Sequence, residues 1–343
     1  MATPLLGVLR RAYPRAHIEW AVGRWSRPLL ENHPDLDGLL DTGGVGESRP
    51  DPARWLAFVR RLRAGKYEAA FVPDRSPVLA AATWLAGIPQ RVGLNSAGRG
   101  LSYTVRVPVN EVKLEAELYL DCARAAGLET SGARLKIVPD GTARAQAAAR
   151  LARLGLAGRP FALLHPGGGG NPGMTLVVKR WPLPQFAALA RRLAAQSGLA
   201  VLAIGGPGDT DLTAALAEQA GPGTWDAGGA EWLELAALAE RAALYVGNDT
   251  GATHVAAAVG CQTVMVLGPS DPRRYAPFAP PGQAVAVWRE WARHLMAGHH
   301  TADLRGGAAG FDWDQHGVGV EEVWQACAQL LISAGKPAPT PTS

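Results

Sequence analysis

Four short stretches of this chain place polar and glycine residues where apolar segments end. The densest is VGNDTGATHVAAAVG, residues 246–260, in which Asn248, Asp249, Thr250, Thr253 and His254 interrupt an alanine-rich run. Asp249-Thr250-Gly251 reads as the turn from a strand into a helix. A helix amino terminus presents free N–H groups and a partial positive charge, which together suit a phosphate. His254 falls about one turn into that helix, where it can add a donor to the same anion. The competing reading is local: Asp249 or Thr250 caps the helix, and His254 is a satisfied core histidine.

The other three stretches have the same character. In LLHPGGGGNPGMTLVVKRWP, residues 163–182, four glycines follow the end of a strand and Lys179 follows the glycines. Glycines expose backbone N–H groups and let a chain approach a ligand closely, so the loop reads as an anion-binding lid. It lacks the GK[ST] ending of a phosphate-binding P-loop, and it does not run straight into a helix as GxGxxG does. A flexible surface loop with a solvated lysine is the alternative. In AIGGPGDTDL, residues 203–212, Asp209 stands before a helix, either as its cap or as an acceptor for ribose or base hydroxyls and amines. In LGPSDPRRYAPFAP, residues 267–280, a strand again runs into glycine, proline and polar residues.

The elements that must position these groups alternate. The first half reads as helix LLGVLRRAY, strand HIEWAVG, helix SRPLLENH, strand GLLDT, helix DPARWLAFVRRLRAG, strand YEAAFVP, helix SPVLAAATWLAG and strand QRVGL. A helix over 111–126 closes it, and GLETSGARLKIVPDG reads as a connection with a short strand inside. The second half has strands PFALLHPG, LAVLAIGG, ALYVGN and QTVMVLGP between helices. Short all-apolar strands separated by helices predict parallel sheets covered on both faces. At 343 residues, two doubly wound domains with a cleft between them are predicted: 1–150, 151–332 and a disordered proline-rich tail over 333–343. In such sheets ligands bind beyond the carboxyl ends of the strands, where all four polar stretches lie.

Composition excludes several classes. Hydrophobic residues make up 48% and charged residues 19%, which argues against disorder. No apolar run reaches the roughly 18–20 residues that span a bilayer. Cys122, Cys261 and Cys327 lie far apart with no metal-ligand spacing, so they read as inert small hydrophobes. The order of apolar and basic residues at the amino terminus is the reverse of a signal peptide, which predicts a cytoplasmic protein. Of 34 basic residues 29 are arginine, and many cluster early, at Arg10, Arg11, Arg15, Arg24, Arg27, Arg54, Arg60, Arg61 and Arg63. They are either solvated helix faces or a surface for a phosphorylated or membrane-bound polyanion. No nucleic-acid motif accompanies them, so nucleic acid is not an expected partner.

On these residues the chain resembles the ADP-heptose:lipopolysaccharide heptosyltransferases, glycosyltransferases of the GT-B architecture. The elements that match are HPG…KRWP, IGGPGD, LELAALAERAALYVGNDTGATHVAAAVG and VLGPSDPRRYAP, with the DTGxxH block the most specific. The first half matches through TPLLGVLRRAYPRAHIEWAVG, NHPDLDGLL and WLAGIPQRVGL. The resemblance implies inverting transfer of heptose from ADP-heptose to the inner core of lipopolysaccharide at the cytoplasmic membrane face, by a monomer in peripheral contact with the membrane. It implies an acceptor-binding first domain and a donor-binding second domain. Lys179 would meet the donor phosphates, Asp209 the ribose, and Asp249, Thr250, Gly251 and His254 the pyrophosphate and sugar, with help from Thr175. Lys179 and His254 would stabilise the leaving group, and no metal or cofactor is expected.

Members of that family begin with a strand and a Gly-Asp loop ahead of the segment matching Thr3-Pro4-Leu5-Leu6, and the aspartate of that loop is their proposed base. Met1 stands two residues ahead of Thr3, so the catalytic residue is left unassigned. The first sheet is expected to lack a central strand, with roughly 15 further residues preceding Met1 in the natural protein. A non-catalytic module that binds nucleotide sugars or polyanions is the alternative. A sugar-nucleotide epimerase of the same architecture would need a pair of bases, and none is identified.

Overall fold

The computed structural model describes residues 1–45, 51–171, 174–291, 308 and 310–335. The chain divides into two compact units, one built on Met1–Lys136 and Pro172–Met174, the other on Ile137–Asn171 and Thr175–Ser343. The division falls ahead of the predicted 150 because the helix Gly141–Arg153 packs into the second unit. Ala147 and Leu151 are buried there beside Leu235, and Arg150 forms a two-pronged pair with Glu234 at 2.7 and 2.9 Å.

The first unit runs α1 (Thr3–Ala12), β1 (Glu19–Val22), β2 (Gly38–Asp41), α2 (Pro52–Ala64), β3 (Ala69–Val72), α3 (Pro77–Leu85), β4 (Gln90–Asn95), β5 (Val105–Pro108) and α4 (Glu115–Ala125). All its strand pairs are parallel, but they form two sheets, β1–β2 and β3–β4–β5. Among the described residues no strand joins β1 to β3. Both strands are only partly covered: Ala21 and Ala69 are exposed, and Phe71 is half-buried.

Three expectations need correction here. The helix predicted at SRPLLENH is a single turn, Arg27–Leu29, followed by further turns, and Pro34 bars a helix from running on past His33. Strand β5 was not anticipated. No strand forms within 127–140, where the Lys136 N–H donates to the Thr3 hydroxyl instead of to a neighbouring strand.

The second unit runs α5 (Gly141–Arg153), β6 (Phe161–His165), the short pair β7 (Gly170–Asn171) and β8 (Met174–Thr175), α6 (Leu183–Ser197), β9 (Ala200–Gly205), α7 (Thr210–Ala220), β10 (Thr224–Gly229), α8 (Trp232–Arg241), β11 (Leu244–Asn248), α9 (Gly251–Ala258), β12 (Thr263–Val266), α10 (Pro272–Tyr275), β13 (Ala284–Val287), α11 (Trp313–His316) and α12 (Val320–Ser333). Six strands form one parallel sheet in the order β10–β9–β6–β11–β12–β13. Every residue of β6, β9, β11 and β12 is buried. Alternate side chains feed two cores: Leu164, Val201 and Val246 face α6 and α12, while Phe161, Leu163 and Leu202 face α5 and α8. Each such side chain stabilises the fold by about 1.5–3 kcal/mol relative to exposure.

This order is the doubly wound one, with successive strands added on one side of β6 up to β10 and on its other side from β11 onward. Edge strands β10 and β13 and helix α12 were not anticipated. The tail expected to be disordered lies outside the described residues from 336 onward. Cys122, Cys261 and Cys327 are buried and form no disulfide among the described residues, and burial pushes the Cys122 thiol up to about 12. Among the described residues no helix is long and apolar enough to cross a membrane.

Candidate functional site at the switch point of the second sheet

The carboxyl ends of β6 and β11 lie side by side where the strand order reverses, with Gly247 opposite His165. Asn248 ends β11 and is fully buried. Its side-chain oxygen accepts the Trp181 N–H at 2.9 Å, and its amide donates to the Pro166 and Gly167 carbonyls at 3.0 and 2.9 Å. One side chain therefore ties the glycine loop to the sheet and to the start of α6. Asn248 stands among the polar residues that interrupt the apolar run in the sequence, and a buried asparagine ending an apolar strand is the signal for this role, which the sequence alone left unassigned.

The loop passes between Asp209 and Thr250. A Cβ on Gly167 would lie 2.3 Å from the Asp209 carboxyl carbon, and one on Gly168 would lie 2.1 Å from the Thr250 methyl. Gly168 also has φ +92, so glycine is required there on both counts. This is a close-packed loop rather than a loose surface one. Thr175 lies in β8, and its side chain is outside the described part of the structure.

Lys179 closes the loop on the short turn Val177–Lys179. Its ammonium donates to Asp249 Oδ2 at 2.6 Å, and the Ser270 hydroxyl donates to the same oxygen at 2.5 Å. The ammonium also lies 5.4 Å from the centre of the Tyr275 ring. Burial alone would raise the Asp249 carboxyl; Lys179 and Ser270 outweigh it and hold the group below its ordinary value. Asp249 is thus an ionised anchor for Lys179, and α9 has Thr250 as its N-cap with no side-chain capping bond. The Thr250 hydroxyl is buried without a partner among the described residues. The side-chain capping alternative fails for both residues, and among the described residues no side chain occupies the N–H groups that open α9, beginning at Gly251.

His254 is half-buried, and its Nδ1 has no partner among the described residues. Burial, the largest cause, lowers its pKa to about 4, so near neutral pH it offers a donor without a charge. It is not a satisfied core histidine. Asp209 does not cap α7 with its side chain either: it accepts the Gly206 N–H at 3.2 Å and lies 3.7 Å from the Arg180 guanidinium. Arg180 in turn donates to the Gly168 carbonyl at 2.7 Å. His165 approaches Asp209 at 3.8 Å, but burial lowers its pKa to about 4, so the contact is not an ion pair near neutral pH.

The structure therefore brings Lys179, Asp249, Thr250, Gly251 and His254 together, with Asp209 across the glycine loop. It adds Asn248, Ser270, Arg180 and Tyr275, which the sequence reading did not name as site residues. One ammonium, an uncapped helix end, a neutral imidazole and a glycine loop at a switch point have the chemistry that suits a phosphorylated ligand.

The family described as glycosyltransferase family 9 (heptosyltransferase) matches residues 55–300. Lipopolysaccharide heptosyltransferase 2 of Escherichia coli (strain K12) is 27% identical over 344 residues, covering 97% of this chain and 94% of that protein. Among solved structures, a family 9 glycosyl transferase from Veillonella parvula DSM 2008 is similar with a TM-score of 0.77 and 22% identity, over 96% of this chain and 93% of that one. An Escherichia coli heptosyltransferase solved with ADP is similar with a TM-score of 0.63 and 20% identity, over 83% of this chain and 88% of that one.

Proposed function

The chain belongs to glycosyltransferase family 9, the heptosyltransferases, and from that premise we propose that it transfers heptose from ADP-heptose to the inner core of lipopolysaccharide. The observation that carries the donor assignment is the buried Lys179–Asp249–Ser270 cluster at the open end of α9, beside the glycine loop. An acceptor hydroxyl attacks the anomeric carbon and gives up its proton to a general base or water, the bond to ADP breaks, and negative charge collects on the departing diphosphate. Lys179 keeps two further N–H donors for that charge while Asp249 fixes its position. The α9 N–H groups and neutral His254 supply further donors, and the unpartnered Thr250 hydroxyl suits a phosphate oxygen. Asp209 takes the ribose side of the loop. The acceptor is lipid-linked and phosphorylated, held by the first unit, and the enzyme works at the cytoplasmic face of the membrane in peripheral contact with it.

Isothermal calorimetry with ADP tests the donor site. Lys179→Ala removes a charge-assisted contact of about 1.5–3 kcal/mol, so ADP affinity is expected to fall roughly ten- to a hundred-fold. Asp249→Asn, which leaves the lysine unanchored, is expected to weaken binding less. Unchanged affinity in both variants would place the donor elsewhere. Turnover of ADP-heptose with a truncated core acceptor tests the transfer itself.

A further inference from the structure

We propose that the face of the first unit formed by α2 and α3 docks on an anionic lipid surface. This deepens the reading above by assigning the membrane contact to named residues, and rests on that reading only for why a membrane matters. The inner sides of both helices are spoken for: Phe58, Val59 and Leu62 of α2 pack with Ala82, Ala86 and Ile88. The outer sides carry side chains that water does not suit. Trp84 is 56% exposed, Leu56 43% and Leu85 38%.

These residues form one patch because the helices are laced at both ends. The Trp55 indole donates to the Val78 carbonyl at 3.1 Å near their starts, and Arg63 donates to the Leu85 carbonyl at 2.7 Å at their ends. Leu56, Arg60 and Arg63 follow i, i+4, i+7 spacing, so they share the flank that borders Trp84 and Leu85.

Charge selects the partner. The thirteen residues of α2 include four arginines and no carboxylate, and α3 carries no charge. Arg54 pairs with its own cap Asp51, and Arg61 turns to the Asp41 carbonyl. Arg60 and Arg63 meet no carboxylate among the described residues. A soluble polyanion would satisfy the arginines and leave Trp84 and Leu85 in water. An anionic bilayer takes both, with the indole and leucines at the headgroup boundary and the arginine stems lying along it.

Co-sedimentation of the full chain with vesicles tests this, using phosphatidylcholine alone or mixed with phosphatidylglycerol. Binding is expected on the anionic vesicles only and is expected to weaken with salt. Trp84→Ser with Leu85→Ser is expected to lower the partition coefficient by roughly tenfold or more. Arg60→Glu, at an exposed position with no carboxylate partner among the described residues, is expected to lower it by about fivefold or more. Circular dichroism and ADP calorimetry on the same samples are expected to match the unaltered chain. Absence of binding to anionic vesicles, or partition unchanged in both variants, overturns the assignment and leaves a protein partner as the occupant of the patch. Because the vesicle assay contains no nucleotide, loss of ADP binding with vesicle binding intact would instead overturn the donor reading alone.

Discussion

At the scale of single residues, the strongest statement concerns the pair Lys179 and Asp249. Both side chains are nearly buried, so removing one partner strands the other. Breaking such a pair costs about 3–5 kcal/mol, whereas replacing both partners by neutral groups costs far less. Lys179→Met is therefore expected to lower the urea midpoint of the second unit more than the double variant Lys179→Met, Asp249→Asn does. Equal loss in single and double variants would show the two groups to be uncoupled. The pH behaviour has a fixed sign. The folded Asp249 carboxyl lies below its ordinary 3.8, so its contribution is complete above that value and is lost only as pH falls further. Sequence marked Asp249 and Lys179 as site residues but separated their roles, because 70 residues of chain hide a 2.6 Å contact. Ser270 belongs to the fourth polar stretch, but its bond to Asp249 was invisible for the same reason.

At the scale of elements, what the sequence made legible was burial. The strands β6, β9, β11 and β12 are continuous apolar runs, and each was predicted because both faces are covered. The strands that were missed are the poorly covered ones. β10 is Thr-Trp-Asp-Ala-Gly-Gly at one sheet edge, β13 is four half-buried residues at the other, and β5 ends in proline. Edge strands need satisfy only one neighbour and one face, so their sequences carry little pattern. The same coverage sets local stability. Among the described residues β1 and β3 each have a single strand neighbour and exposed residues, whereas β6 is flanked on both sides and buried throughout. Amide exchange is expected to be faster along β1 and β3 than along β6 and β11, by several orders of magnitude if opening is local. Uniform protection across all four strands would mean that the first unit's edges are covered in solution.

At the scale of the molecule, two units with separate cores and unequal sheets are expected to unfold in two steps. The first unit, with its divided sheet, is expected to melt at the lower temperature, and the second is the one proposed to hold the donor site. ADP at a hundred times its dissociation constant adds about 2.7 kcal/mol to the unit that binds it. For a unit of this size that raises the upper transition by roughly 5–11 °C and leaves the lower one in place. Acid acts in the opposite direction on the same transition. His165 and His254 are held neutral by burial with pKa values near 4, against an ordinary 6.5. The unfolded chain therefore takes up their protons first, and their stabilisation is complete above pH 6.5 and drains away between 6.5 and 4. For His165 the loss is on the order of 3 kcal/mol, and less for the more exposed His254. The first unit has one such buried histidine with a lowered pKa, His33. Scanning calorimetry from pH 7 to pH 4 is thus expected to pull the upper transition down faster than the lower, with ADP restoring it at each pH. A lower transition that rises with ADP while the upper stays fixed would move the nucleotide to the first unit, against the role given to Lys179.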